Sequence, residues 1–268
     1  MYKALKEIMD ENPGQVHPKT TYKTGFKELD QIIQGFTSTD LVLIAAKPGN
    51  CGNIFLKNLG VRMSNDIPVL FINTEKDAFT YAKDLESIVT SVPENSGLDE
   101  MQGPTSDIFI ESDAKFPKEI DKTIGQFKRE HPDEAIVLID NMNGVFFSQE
   151  AGNYTYEKQA FEISGSLKML TLKHQVPILV YHRTGTNDFA DASNPAAPVD
   201  IHFLEESNNR FDLILSVYRP EYYRINMDEN GLPTEYKLYI HALRNTTGIR
   251  GKVVMKISEE NRFLLIDD

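Results

Sequence analysis

Six short apolar runs punctuate the chain: Leu41 to Ala46, Pro68 to Ile72, Ile108 to Glu111, Ala135 to Ile139, Val176 to Tyr181 and Leu213 to Val217. They are continuous rather than alternating, so each predicts a strand buried on both faces. Between them lie stretches with helical spacing, such as Ile54 to Ser64 and Glu157 to His174, the latter apolar at Ala160, Ile163, Leu167 and Leu170. This alternation predicts an α/β fold, a parallel sheet with helices on both faces. The last third changes character. Tyr236 to Ala242, Lys252 to Ile257 and Arg262 to Ile266 lie close together with Gly and Asn between them, which predicts antiparallel strands.

At the other end, Tyr2, Leu5, Ile8 and Met9 recur at helical spacing until Asn12-Pro13-Gly14 stops them. A polar connector, residues 15 to 20, follows. So short a helix is marginal alone in water, so its apolar stripe must dock on something. The pattern divides the chain into residues 1–18, a helix with its connector, and residues 19–268, the core domain. Two loops, Pro93 to Ser106 and Arg183 to Asp200, are long enough to carry function.

The 268 residues, 40% hydrophobic and 25% charged, suffice for a large buried core. A formal charge of −12 gives no basis for a general nucleic-acid coat or an anionic-membrane binder, so any contact with DNA must be local. A single cysteine, Cys51, rules out an internal disulfide and fits a reducing compartment. No stretch approaches about 18 consecutive apolar residues, and the N-terminal segment has no signal-peptide core. The expected location is the cytoplasm.

After the first apolar run comes Ala45-Ala46-Lys47-Pro48-Gly49-Asn50-Cys51-Gly52-Asn53-Ile54-Phe55. A phosphate-binding loop would sit here, between a buried strand and a helix. Backbone N–H groups at the helix start attract phosphate oxygens, and Gly49 and Gly52 permit close approach. The usual lysine, which reaches the β- and γ-phosphates, and the hydroxyl that holds Mg²⁺ are both missing.

The order of motifs resembles the C-terminal, RecA-like motor domain of the bacterial replicative DNA helicase, the DnaB type. Thr24-Gly25-Phe26-Lys27-Glu28-Leu29-Asp30 with Gly35 resembles the family's entry motif, and Asn73-Thr74-Glu75 its catalytic-glutamate segment. Leu138-Ile139-Asp140 resembles the Walker B strand. Tyr218-Arg219-Pro220-Glu221-Tyr222-Tyr223 and Arg244-Asn245-Thr246-Thr247-Gly248 are similar to its late motifs.

The resemblance implies ATP and Mg²⁺ as cofactors, with Glu75 polarising water, Asp140 ordering the metal and Arg244 as an arginine finger. It assigns nucleotide binding to Lys47, Pro48, Gly49, Asn50, Cys51, Gly52 and Asn53. His182 stands at a sensor position where the family usually has glutamine, and Ala242 replaces the lysine of the finger strand. The family's loop ends in Gly-Lys-Thr. An ungapped reading puts Cys51, Gly52 and Asn53 there, whereas a shift by one residue puts Gly52, Asn53 and Ile54 there. The N-terminal helix resembles the family's linker helix, which packs on a neighbouring subunit. It implies a homo-oligomer, or an intact replicative helicase, as partner. The alternative is a helix folded back on its own domain.

Loss of one charged hydrogen bond, roughly 1.5–3 kcal/mol, weakens binding by about one to two orders of magnitude. Hydrolysis suffers more, because phosphoryl transfer depends on positive charge and metal around the γ-phosphate. Three readings follow: a hydrolysis-defective binding or regulatory subunit, an ATP-driven translocase with an unorthodox loop, and a structural adaptor whose cleft is filled by side chains. Cys51, at a helix start, is either a low-pKa thiol or a small residue packed under a tight turn. Lys237, Arg244, Arg250, Lys252 and Lys256 form either a local phosphate-binding patch or the charged face of a hairpin. The six histidines show no metal-ligand spacing.

Overall fold

The computed structural model describes residues 21–90, 107–147, 155–184, 209–246, 249–257 and 264–266. The expected N-terminal helix and connector, the loop 93–106 and residues 185–200 lie outside the described residues.

A ribbon of β1 (Thr21–Tyr22) and β2 (Phe36–Thr37) brackets α1 (Lys27–Ile33). The main body then alternates as the apolar runs require: β3 (Leu41–Ala46), α2 (Gly52–Met63), β4 (Val69–Asn73), α3 (Ala78–Thr90), β5 (Ile108–Glu111), α4 (Pro117–Glu130), β6 (Ile136–Asp140), α5 (Tyr156–His174), β7 (Ile178–Arg183) and β8 (Leu213–Tyr218). Antiparallel strands β9 (Lys237–Asn245), β10 (Gly251–Ile257) and β11 (Leu264–Ile266) finish the described chain. The strands form one nine-stranded sheet in the order β11-β10-β9-β8-β3-β7-β6-β4-β5. All six apolar runs are strands, paired in parallel from β8 to β5. The fifth begins at Ile178 rather than Val176. Pro177, which has no N–H, cannot donate to the ladder.

Successive side chains on a strand point to opposite faces. On β3, Val42, Ile44 and Ala46 enter one core with Phe55, Leu56 and Leu59 of α2 and Tyr81 and Leu85 of α3. Leu41, Leu43 and Ala45 enter the other, with Ile120, Ile124 and Phe127 of α4 and Ala160, Ile163 and Leu167 of α5. Both faces are covered, which is why these runs are apolar throughout. Helix α2 packs tightly on the sheet at Gly60. A β-carbon on Gly60 would collide with the Phe71 ring, so only glycine allows this approach. The helix is buried on nearly every side, including Lys57, Asn58 and Arg62. Arg62 donates to the Gly25 carbonyl at 3.0 Å, and burial lowers its pKa to about 10.

Candidate phosphate-loop site

The loop between β3 and α2 turns at Lys47, whose carbonyl accepts the Asn50 amide at 3.2 Å. Gly49 has φ +83° and Cys51 has φ +60°, and α2 begins at Gly52. Left-handed backbone favours glycine. Cys51 therefore holds a conformation suited to glycine, immediately before the helix. This matches the ungapped reading, in which Cys51 stands for the glycine, Gly52 for the lysine and Asn53 for the hydroxyl residue. The shifted register has no such support. The Asn53 side chain accepts the amide of Ile54 at 2.9 Å.

Three aromatic rings crowd the loop. A β-carbon on Gly52 would lie 2.5 Å from Tyr181 Cε2 and 2.6 Å from the Ala46 β-carbon. One on Gly49 would run into the ring of Tyr222. Asn50 is 1% exposed. Its Nδ2 donates to Tyr223 Oη at 2.7 Å and to the Lys47 carbonyl at 3.2 Å, and its Oδ1 accepts the Arg219 amide at 2.8 Å. The tyrosines belong to a 3-10 turn, Pro220–Tyr223, directly after β8. Arg219 pairs with Glu221 and lies 3.6 Å from Cys51 Sγ. Burial pushes the Cys51 thiol up, with Arg219 only partly opposing it, so Cys51 is the packed small residue and not a low-pKa thiol.

The two acids occupy different settings. Asp140, at the end of β6, is 5% exposed. Its Oδ2 accepts Tyr81 Oη–H at 3.0 Å and lies 3.9 Å from Lys57 Nζ. Burial raises its pKa, against the pull of Lys57 and Tyr81. The following peptide, Asp140–Asn141, is cis, and Thr74 Oγ1 both donates to the Asn141 carbonyl and accepts the Asn141 amide. Glu75 is half-exposed and pairs with Arg183 Nη2 at 3.3 Å. Arg183 is fixed at the end of β7 by two hydrogen bonds with Asn143, at 2.9 and 3.0 Å. Burial pushes the Tyr181 hydroxyl up, and the nearby negative charges of Asp140 and Glu75 add to that shift while Arg183 opposes it. Neighbouring His182 is 1% exposed, and burial lowers its pKa to about 4, so it is neutral.

Arg244 does not join these residues. It stands opposite Ile214 on β9, level with Leu43 and below the mouth of the loop, and its Nη1 donates to Asn209 at 3.1 Å. Of the other basic residues, Lys252 pairs with Glu229 at 3.1 Å on the hairpin surface, and Lys237 faces Lys256 across the ladder.

A Mg²⁺–triphosphate held in the manner of the family does not fit this donor set. Residue 52 has no side chain, the Asn53 side-chain oxygen already accepts the Ile54 amide, and Asp140 faces an internal ammonium. Lys47 remains at the loop's strand side, half-buried. Among the described residues no cluster of three His, Cys, Asp or Glu forms a metal site.

Sequence reasoning missed Tyr181, Tyr81, Lys57, Arg219 and Tyr222 as parts of this site. Lys57 left one signal, a cation in an otherwise apolar helix pattern. Arg219 and Tyr222 read only as part of a late motif, and Tyr181 and Tyr81 as core residues, until the sheet brings them together.

Comparison with known proteins gives a consistent result. The profile described as "DnaB-like helicase C terminal domain" matches residues 22–263. The chain is 26% identical over 232 residues to the replicative DNA helicase DnaB of Pasteurella multocida, covering 80% of this chain and 49% of that protein. It is 25% identical over 260 residues to that of Haemophilus influenzae, covering 89% and 54%. The chain thus spans about half the length of these curated relatives. Among solved structures, a DnaB-like replicative helicase described with its interactions with primase superposes with a TM-score of 0.77 at 20% identity, covering 100% of this chain and 68% of the other. The RadB recombinase superposes with a TM-score of 0.58 at 16% identity, covering 92% and 100%. These two likenesses show the RecA-like fold alone.

Proposed function

The chain belongs to the DnaB-like helicase C-terminal domain family, and from that premise we propose that it has lost ATP hydrolysis and serves as a binding or regulatory subunit. The observation that carries this reading is Gly52. The position that should bear the phosphate-binding lysine has no side chain, and the ring of Tyr181 stands where one would begin. Phosphoryl transfer relies on a positioned cation and metal, and neither Glu75, paired with Arg183, nor Asp140, held by Tyr81, supplies that clamp.

The turn Pro220–Tyr223 favours a second reading without turnover, a structural adaptor whose cleft is filled by side chains. The Asn50 side chain is occupied by Tyr223, the Lys47 carbonyl and the Arg219 amide, so it is satisfied without a ligand. The coupled partner, on this reading, is an intact replicative helicase or a second copy engaged through residues 1–18, with DNA contact confined to local basic residues. Arg244, outside the chain's own cleft, is available in this scheme to serve a neighbour's site.

The test is steady-state ATP turnover with and without single-stranded DNA. Turnover at background, unchanged by Glu75→Gln, is the expected result. Turnover that Glu75→Gln abolishes refutes the reading and restores the active-translocase alternative.

A further inference from the structure

Lys57 is a buried lysine whose ammonium faces Asp140. It lies four residues after Asn53, one turn further along the same face of α2. Its side chain is 6% exposed, with Nζ 2.7 Å from Asp84 Oδ2, 3.9 Å from Asp140 Oδ2 and 4.5 Å above the centre of the Tyr81 ring. Lys76 adds a second ammonium on Asp84 at 2.6 Å. Tyr81 completes the cage by donating to the same Asp140 oxygen that faces Lys57.

A buried ammonium keeps its charge only where anions and an aromatic face replace its water. Here two cations, Lys57 and Lys76, meet two anions, Asp84 and Asp140, and Glu75 and Arg183 form a further neutral pair. A divalent ion at Asp140 would add two positive charges to a balanced cluster. It would also sit a few ångströms from an ammonium that the helix cannot withdraw. At an effective dielectric of about 20 that repulsion weakens metal binding by more than about a hundredfold.

We infer that Lys57 is the built-in cation of the Asp140 carboxylate and takes the place of a divalent metal, so that this chain's loop site holds no magnesium. Lys57 is a positioning residue: it acts through Asp140 and is turned toward α3, away from the loop. The inference deepens the reading of lost hydrolysis, resting on Asp140 as the metal position. Its test uses neither nucleotide nor turnover, so the two can fail separately.

The full chain is titrated with manganese chloride alone, and free ion is followed by electron paramagnetic resonance. Wild type and Asp140→Asn are expected to give the same isotherm, since weak binding to a chain of charge −12 does not involve Asp140. Lys57→Met is expected to gain a site at least about tenfold tighter than any in wild type, and Lys57→Met/Asp140→Asn to lose it. If Lys57→Met does not fold, Lys57→Met/Asp84→Asn, which removes one charge of each sign, is titrated instead against its own Asp140→Asn version. A wild-type manganese site that Asp140→Asn abolishes overturns the inference. A folded Lys57 variant that gains no site overturns it equally.

Discussion

The ring of Tyr181 and the bare backbone of Gly52 are fitted to each other, with Tyr181 Cε2 2.5 Å from the point a β-carbon on residue 52 would occupy. Alanine is ordinarily better than glycine in a helix by about 1 kcal/mol. Here overpacking, about 1–3 kcal/mol, outweighs that gain. Gly52→Ala is expected to lower stability in urea denaturation. Gly52→Lys/Asn53→Thr is expected to lose more, with no gain in nucleotide affinity until Tyr181→Ala makes room.

Asn50 joins the loop to the turn that follows β8. Asn50→Ala leaves the Arg219 amide and the Tyr223 hydroxyl without this partner, at a cost of about 1–3 kcal/mol. Chemical denaturation reads the loss, and hydrogen exchange at the Arg219 amide is expected to rise. An unchanged exchange rate would mean that the turn does not depend on this bridge.

His182 makes stability depend on pH. Unfolded, it takes up a proton near 6.5, whereas folded it resists until about 4. The unfolded state therefore binds more protons between these values, and stability present above pH 6.5 is lost as pH falls toward 4, by up to about 3 kcal/mol. His182→Gln is expected to flatten that part of the curve. Melts of both proteins from pH 7 to 4.5 check it.

The surroundings of Glu75 and Asp140 should answer differently to mutation. Glu75 and Arg183 are both about half exposed, so Glu75→Gln is expected to change stability by less than about 1 kcal/mol. Tyr81 is 1% exposed and its hydroxyl serves a buried carboxyl, so Tyr81→Phe is expected to cost about 1–3 kcal/mol. Equal effects would contradict the burial difference.

How much of this could be read in advance varies along the chain. The run Leu41 to Ala46 gave its strand correctly because burial on both faces leaves no room for a polar residue. Tyr218 to Tyr223 was legible only as a late motif. Its closure over a loop some 170 residues earlier depends on β8 pairing with β3, a relation that periodicity does not contain.

The sequence by itself determined the layered α/β architecture and the absence of a Gly-Lys-Ser/Thr run from residues 45 to 55, because periodicity and residue identity are local properties. It left the loop's register open between two alignments. A left-handed Cys51 ahead of a helix starting at Gly52 favours the ungapped alignment, and that is backbone geometry and not composition. The structure also decided which side chains surround the loop and Asp140. Tyr181, Tyr222 and Lys57 come from three separate elements, and a contact between such elements arises from packing, which no single stretch of chain encodes.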